Sequence, residues 1–305
     1  MINVTLKGGT VKEYPENTTA MDVAKDLSMG LYKSACICKI NDTFCDMRTA
    51  LTEDCTLEFI SFEEAEEAKR CFRHTASHIL AQAVKRLFPE AKLAIGPAID
   101  DGFYYDFDIE SPFTPEDLEK IEAEMKKIVK EKLPLEKFEM TPDEAIKYYE
   151  DLGEIYKVEL VKEHADKGEN ISFYKQGEFT ELCAGPHLPD TGRVKAFKLT
   201  SCTGAYWRGN EKNKMLQRIY ATAFTKKEDM EAYLEAIEEA KKSNENLKVS
   251  NVNAGEIIEN LKIEQEKVAL SKEELDYVSG LRDQIDEIEN NKEKQIGISL
   301  FFLTL

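Results

Sequence analysis

Three of the four histidines in this 305-residue chain fall in two short segments. One is His74-Thr75-Ala76-Ser77-His78, and the other is Cys183-Ala184-Gly185-Pro186-His187. His74 and His78 stand four apart in a run with apolar residues at Ile79, Leu80, Ala83, Val84 and Leu87, so on a helix they leave from the same face. Gly185-Pro186 excludes an ordinary helix interior, so Cys183 and His187 must be presented by a tight turn. Two imidazoles from a helix, joined by a thiol and a third imidazole from a distant turn, are the donor set of a zinc site or of a hydrolytic site built from imidazoles and a thiol. A histidine pair on a helix face also serves packing alone. The added Cys/His turn is what weights the set toward chemistry.

The elements that must present these groups follow from periodicity. Residues 1–6 alternate, Gly8-Gly9 turns, and 11–14 return as a second strand. Thr19 is placed to cap a helix over 20–27, with Asp22 at its third position, and 33–40 and 56–60 read as strands. That order is a β-grasp, ubiquitin-like unit, a docking module with no chemistry of its own. A long helix over 63–88 follows, acidic in its first turn and closed by Pro89. Residues 94–108 make a hairpin around Asp101-Gly102, and 115–132 and 142–152 are amphipathic helices. Residues 156–161, 171–174 and 179–182 read as strands, the last delivering Cys183; further strands are expected at 197–200 and 215–224. The fold class is therefore α+β. Beyond 225 the chain turns acidic, with helical periodicity at 230–240, 256–269 and 273–289 and an apolar end at 296–305. The expected division is 1–62, 63–225 and a helical tail over 226–305.

Composition narrows the setting. No run approaches the roughly 20 apolar residues of a membrane span, so no membrane partner is expected. Seven cysteines without framework spacing point to a reducing compartment and a cytoplasmic protein. A net charge of −18 argues against indiscriminate binding to nucleic acid. The stretch 188–220 is an exception, with seven basic residues against two acidic, a local balance of +5. No GxxxxGK[ST] phosphate loop is present, which argues against a nucleoside kinase of that type.

The segments HTASHILAQAV, IGPAIDDGFYYDFD, ELCAGPH and TGAYWRGNEKNKMLQRIYATAF, in that order, resemble the N-terminal half of bacterial threonyl-tRNA synthetases over about residues 1–242. The resemblance implies a TGS-type β-grasp domain followed by an editing domain of the threonyl/alanyl-tRNA synthetase type. It implies hydrolysis of mischarged seryl-tRNA(Thr), because a site tuned for threonine gains only about 1–3 kcal/mol from the methyl that serine lacks. On this resemblance His74, His78, Cys183 and His187 line the pocket, and Lys157 polarises the ester carbonyl. Tyr105 meets the terminal adenosine. Glu181 stands where the family usually has aspartate, which moves the carboxylate by a methylene and loosens water positioning. Arg208, Lys214 and Arg218 would track the acceptor-end backbone, with Tyr206 or Trp207 stacking on bases.

No cofactor is required by this chemistry. Zinc is an option on His74, His78, Cys183 and His187, but four protein ligands would leave no open position for water, so a metal-free site is the expectation. The expected partner is the acceptor end of tRNA(Thr), with association with a full-length synthetase as a further option. Two other readings stay open. One is a truncated synthetase that cannot aminoacylate, since the 61 residues after Asn244 cannot hold a class II core; the other is a non-catalytic tRNA-binding module.

Overall fold

The computed structural model describes residues 1–243, 279–282, 285 and 291. Contacts divide the chain into two units, Met1–Ala232 and Tyr233–Leu305. In the second, residues 233–243 and 279–282 are helical. The helix expected over 256–269 and the apolar end at 296–305 lie outside the described residues.

The first unit opens with a hairpin of β1 (Ile2–Leu6) and β2 (Val11–Tyr14). There follow β3 (Thr18–Thr19), α1 (Ala20–Leu27), α2 (Met29–Ser34), β4 (Ala35–Ile40), β5 (Thr43–Cys45), β6 (Ala50–Leu51) and β7 (Cys55–Ser61). The sheet order is β2-β1-β7-β4-β5, with β1 parallel to β7 and the other pairs antiparallel. This is the β-grasp arrangement, and α1 closes it by burying Ala20, Val23 and Ala24. Thr19 caps α1 as expected, its hydroxyl oxygen accepting from Asp22 N at 3.2 Å. The strand expected from 33 begins two residues later, because α2 runs through Ser34.

The central element is α3 (Glu66–Leu87), with 14 buried residues in 22. A helix covered nearly all round belongs in the middle of a fold rather than on its surface. After it come β8 (Lys92–Leu93), β9 (Ala98–Ile99), β10 (Gly102–Asp108), α4 (Pro115–Glu131), β11 (Leu135–Glu139), α5 (Pro142–Asp151) and α6 (Ile155–Asp166). The last strands are β12 (Ser172–Gln176), β13 (Phe179–Leu182), β14 (Ala196–Tyr206) and β15 (Met215–Phe224). One sheet runs β14-β15-β10-β8, with β9 on β10, and a second runs β11-β12-β13. The starts of α4 and α5 are set by complete capping boxes, Thr114 with Asp117 and Thr141 with Glu144, each followed by proline in the first turn. Cys36, Ile37, Ile60 and Phe62 of the N-terminal sheet region share one core with Phe72, Ile79 and Leu80 of α3. The β-grasp unit is therefore fused to the following fold through a common apolar core.

The largest correction is α6. Residues 156–161 form helix rather than strand. The alternation of Tyr156-Lys157-Val158-Glu159-Leu160 mimics a strand period, but in the helix Tyr156, Lys157 and Val161 turn inward together.

Candidate functional site

Helix α3 brings His74 and His78 to one face, and the end of β13 carries Cys183 to meet them. The Cys183 Sγ lies 3.5 Å from His74 Nε2 and 3.2 Å from His187 Nε2. The His187 ring sits 4.5 Å from that of His74 and 4.1 Å from that of His78, centroid to centroid. The turn that makes this possible needs a glycine. Gly185 has φ +79°, and a Cβ there would fall 2.2 Å from Tyr174 Oη. The Gly185-Pro186 bond is cis. Gly96 is a second such position, since a Cβ would strike the Tyr105 ring at 2.1 Å.

Thr75 fixes the His187 tautomer. Its hydroxyl donates to Cys71 O at 2.9 Å, so its oxygen can only accept from Leu188 N at 3.0 Å and from His187 Nδ1 at 3.1 Å. The proton of His187 therefore sits on Nδ1, and the Nε2 lone pair faces Cys183. Burial lowers His74 to about 4, with the nearby Lys157 charge adding to it, and holds His78 and His187 well below the ordinary imidazole value. Burial pushes the Cys183 thiol up to about 12. At neutral pH the cluster is thus three neutral imidazoles around a protonated thiol, not a thiolate nucleophile.

Beside it lies a second buried group. Lys157 on α6 forms an ion pair with Glu181 and donates to Tyr105 Oη at 3.1 Å, while Tyr105 Oη donates to Glu181 Oε2 at 2.6 Å. All three residues are almost inaccessible. A cavity of about 660 Å³ joins the two clusters, walled by His74, His78, Cys183, Lys157, Tyr105 and Glu181.

Several of the expected site residues are buried or already engaged within the chain. His187 does not wall the cavity; it is fully buried behind Cys183. Tyr105, expected to meet an adenosine, has its one donor spent on Glu181. Arg208, Lys214 and Arg218 lie off the cavity wall and are held by carboxylates: Arg208 by Glu159 and Glu163, Lys214 by Asp108, and Arg218 in a fork on the buried Asp106. Trp207 is buried and donates to Glu159 Oε2 at 3.2 Å, whereas Tyr206 stays partly exposed. Sequence reading missed Thr75, whose signal was its position inside the histidine pair. It also missed Asp46 and Arg48, for which no local signal exists.

The four donors fit a metal. One ligand atom from each of His74, His78, Cys183 and His187 can be chosen so that all lie within 4.8 Å of one another. The buried His78 Nδ1 has no hydrogen-bond partner among the described residues. Mixed imidazole and thiolate donors suit zinc.

Residues 2–61 match the TGS domain, and residues 171–220 match the threonyl and alanyl tRNA synthetase second additional domain. The chain carries both domains, in that order. Over 242 residues it is 60% identical to the threonine–tRNA ligases of Acetivibrio thermocellus and Clostridium tetani, and 58% identical to that of Carboxydothermus hydrogenoformans. Each alignment covers 79% of this chain and 38% of the relative, so the chain spans less than two fifths of the length of the curated relatives it matches. The histidine pair of α3 precedes the span matched by the second additional domain, and Cys183 and His187 lie inside it. No helix among the described residues is long and apolar enough to cross a membrane.

Proposed function

We propose that the cavity hydrolyses the ester of seryl-tRNA(Thr). The observation that carries this reading is the meeting, in one cavity, of neutral imidazoles with a buried lysine that retains a spare donor. An ammonium has three N–H groups. On Lys157 one is donated to Tyr105 and the ammonium is ion-paired with Glu181, which leaves at least one for the ester carbonyl. The lysine is held in place before substrate arrives, so stabilising the tetrahedral oxyanion requires no reorganisation. His74, neutral and on the cavity wall, accepts a hydrogen bond from the attacking water and orients it. The water oxygen bonds to the carbonyl carbon, the bond to the terminal ribose oxygen breaks, and the proton passes to that leaving oxygen. Cys183, protonated and in contact with two imidazoles, shapes the wall rather than attacking.

His74, His78, Cys183 and His187 would hold zinc if it binds, and a bound ion would supply Lewis-acid polarisation. With all four engaged a tetrahedral ion has no open position. The reading therefore assigns the hydrolytic step to side chains.

The test uses purified protein with seryl-tRNA(Thr) and threonyl-tRNA(Thr). Serine should be released far faster than threonine, and Lys157→Ala should lose about 10²–10³ in kcat, the usual loss for an oxyanion donor. Release that persists in both Lys157→Ala and His74→Ala would sink the site assignment. No serine release above the buffer rate, with tRNA still bound, would leave a tRNA-binding module in its place.

A further inference from the structure

The β-grasp unit sends one loop into the back of the site. Between β5 and β6, Asp46 and Arg48 are both largely buried and salt-bridged to each other at 2.9 Å. Arg48 Nη1 donates to His187 O at 2.9 Å, Nη2 to Leu188 O at 2.7 Å, and Nε to Leu135 O at 2.6 Å. Asp46 Oδ2 accepts from His187 N at 3.2 Å and from Tyr174 Oη at 2.8 Å. Tyr174 in turn packs its ring 4.4 Å from that of His187 and closes over Gly185. Both backbone polar groups of His187 are therefore satisfied by the β-grasp loop, and its Nδ1 by Thr75. A turn that cannot hydrogen-bond to itself like a helix or a strand has few internal restraints. Here the restraint comes from another domain.

We propose that Asp46 and Arg48 are positioning residues for the Cys183–His187 turn, so that the TGS domain is a structural part of the hydrolytic site rather than a docking module alone. This rests on the deacylation reading for its kinetic consequence but not for its structural one. A guanidinium serves three carbonyls at fixed angles, which a lysine ammonium cannot reproduce. Arg48→Ala leaves the carbonyls of Leu135, His187 and Leu188 without their donor, and the turn is then free to leave the position where Cys183 meets His74.

The experiment uses the full chain and the variants Arg48→Ala, Arg48→Lys and Asp46→Asn, with a chelator present throughout. Iodoacetamide labelling is followed cysteine by cysteine by peptide mass spectrometry. Cys183, on the cavity wall, should label at least about tenfold faster in Arg48→Ala, because the local opening has lost charge-assisted hydrogen bonds. Cys36 and Cys55, each in a separate core and off the cavity wall, should stay as slow as in the parent. In deacylation assays kcat should fall by about 10²-fold with KM nearly unchanged, the scale of a small misplacement of reacting groups. Arg48→Lys should recover only part of this loss, and Asp46→Asn, which keeps an acceptor, more of it. Unchanged Cys183 labelling in Arg48→Ala overturns the proposal. So does a rise shared equally by Cys36 and Cys55, which would mean general unfolding. If the parent has no deacylase activity, the functional reading fails while the labelling still decides the positioning role.

Discussion

At the scale of single residues, the site is organised by a hydroxyl with all of its capacity used. Thr75 donates once and accepts twice, tying α3 to the turn at Leu188 and to the ring of His187. Thr75→Val preserves shape while removing the oxygen, so it leaves the Leu188 N–H and the His187 Nδ1–H buried and unpaired. Each orphaned donor costs about 1–3 kcal/mol. The unfolding midpoint of Thr75→Val in urea should fall accordingly with an unchanged slope, and Thr75→Ser should restore most of the difference. A Thr75→Val protein as stable as the parent would show that the hydroxyl is not the tie. The same counting of donors explains Tyr105, whose hydroxyl looked free for a ligand in the sequence and is committed to Glu181 in the fold.

At the scale of elements, α3 is held to its neighbours by Arg86, which reaches Glu178 at 2.6 Å, Glu131 at 2.7 Å and Glu124 at 3.2 Å. The Arg86 guanidinium holds Glu178 down to about 2, and Lys127 first, then Arg86, lowers Glu124. A carboxylate with a depressed value in the fold stabilises it above its unfolded value, and that stability is lost as pH falls from about 4.5 toward 2. Glu178 is half exposed, so solvent screening limits its share to about 0.2–1 kcal/mol. Glu178→Gln should therefore lower stability slightly at pH 7 and flatten the acid limb of the stability curve between pH 4.5 and 2; an unaltered acid limb would remove Arg86 from the account. How much of the architecture the sequence reveals also depends on the element. The ends of α1, α4 and α5 are written in Thr19, Thr114 and Thr141, because caps act over three residues. The α3 face carrying His74 and His78 is legible because helical period is local. The α6 helix is not, because its alternating apolar residues match both periods and packing of Tyr156 and Val161 decides between them. Asp46 and Arg48 are illegible for a simpler reason: their partner His187 lies 141 and 139 residues away, and no local pattern records such a contact.

At the scale of the whole molecule, charge is the informative quantity. The chain carries −18, and the local excess of +5 at 188–220 looks in the sequence like a track for RNA. The fold neutralises most of it. Arg193, Lys198, Arg208, Lys214 and Arg218 each meet a carboxylate of the chain. Of that stretch only Lys195 and Lys212 lack a carboxylate partner among the described residues. Arg70, on the cavity wall, is a further cation without a carboxylate partner among the described residues, and the Lys137 charge acts on Cys183. Binding to nucleic acid releases roughly one counterion per phosphate neutralised. If Lys195, Lys212 and Arg70 are the cations that meet phosphate, the slope of log K against log salt for the proposed tRNA complex is about −2 to −3. Affinity for a tRNA(Thr) acceptor stem, measured between 50 and 200 mM salt, should thus weaken by only about 10²-fold or less. A slope of about −6 or steeper would mean that a larger basic surface engages the RNA and that the intramolecular pairs of Arg208, Lys214 and Arg218 open on binding. Those pairs are unequal, and the inequality predicts the order of release. Arg218 grips a carboxylate that is itself buried, so freeing it would strand a buried charge, whereas the Arg208 pairs are solvent-exposed and cost little to break. Arg208→Ala should then be the substitution that flattens a steep slope, and Arg218→Ala the one that destabilises the fold without altering it.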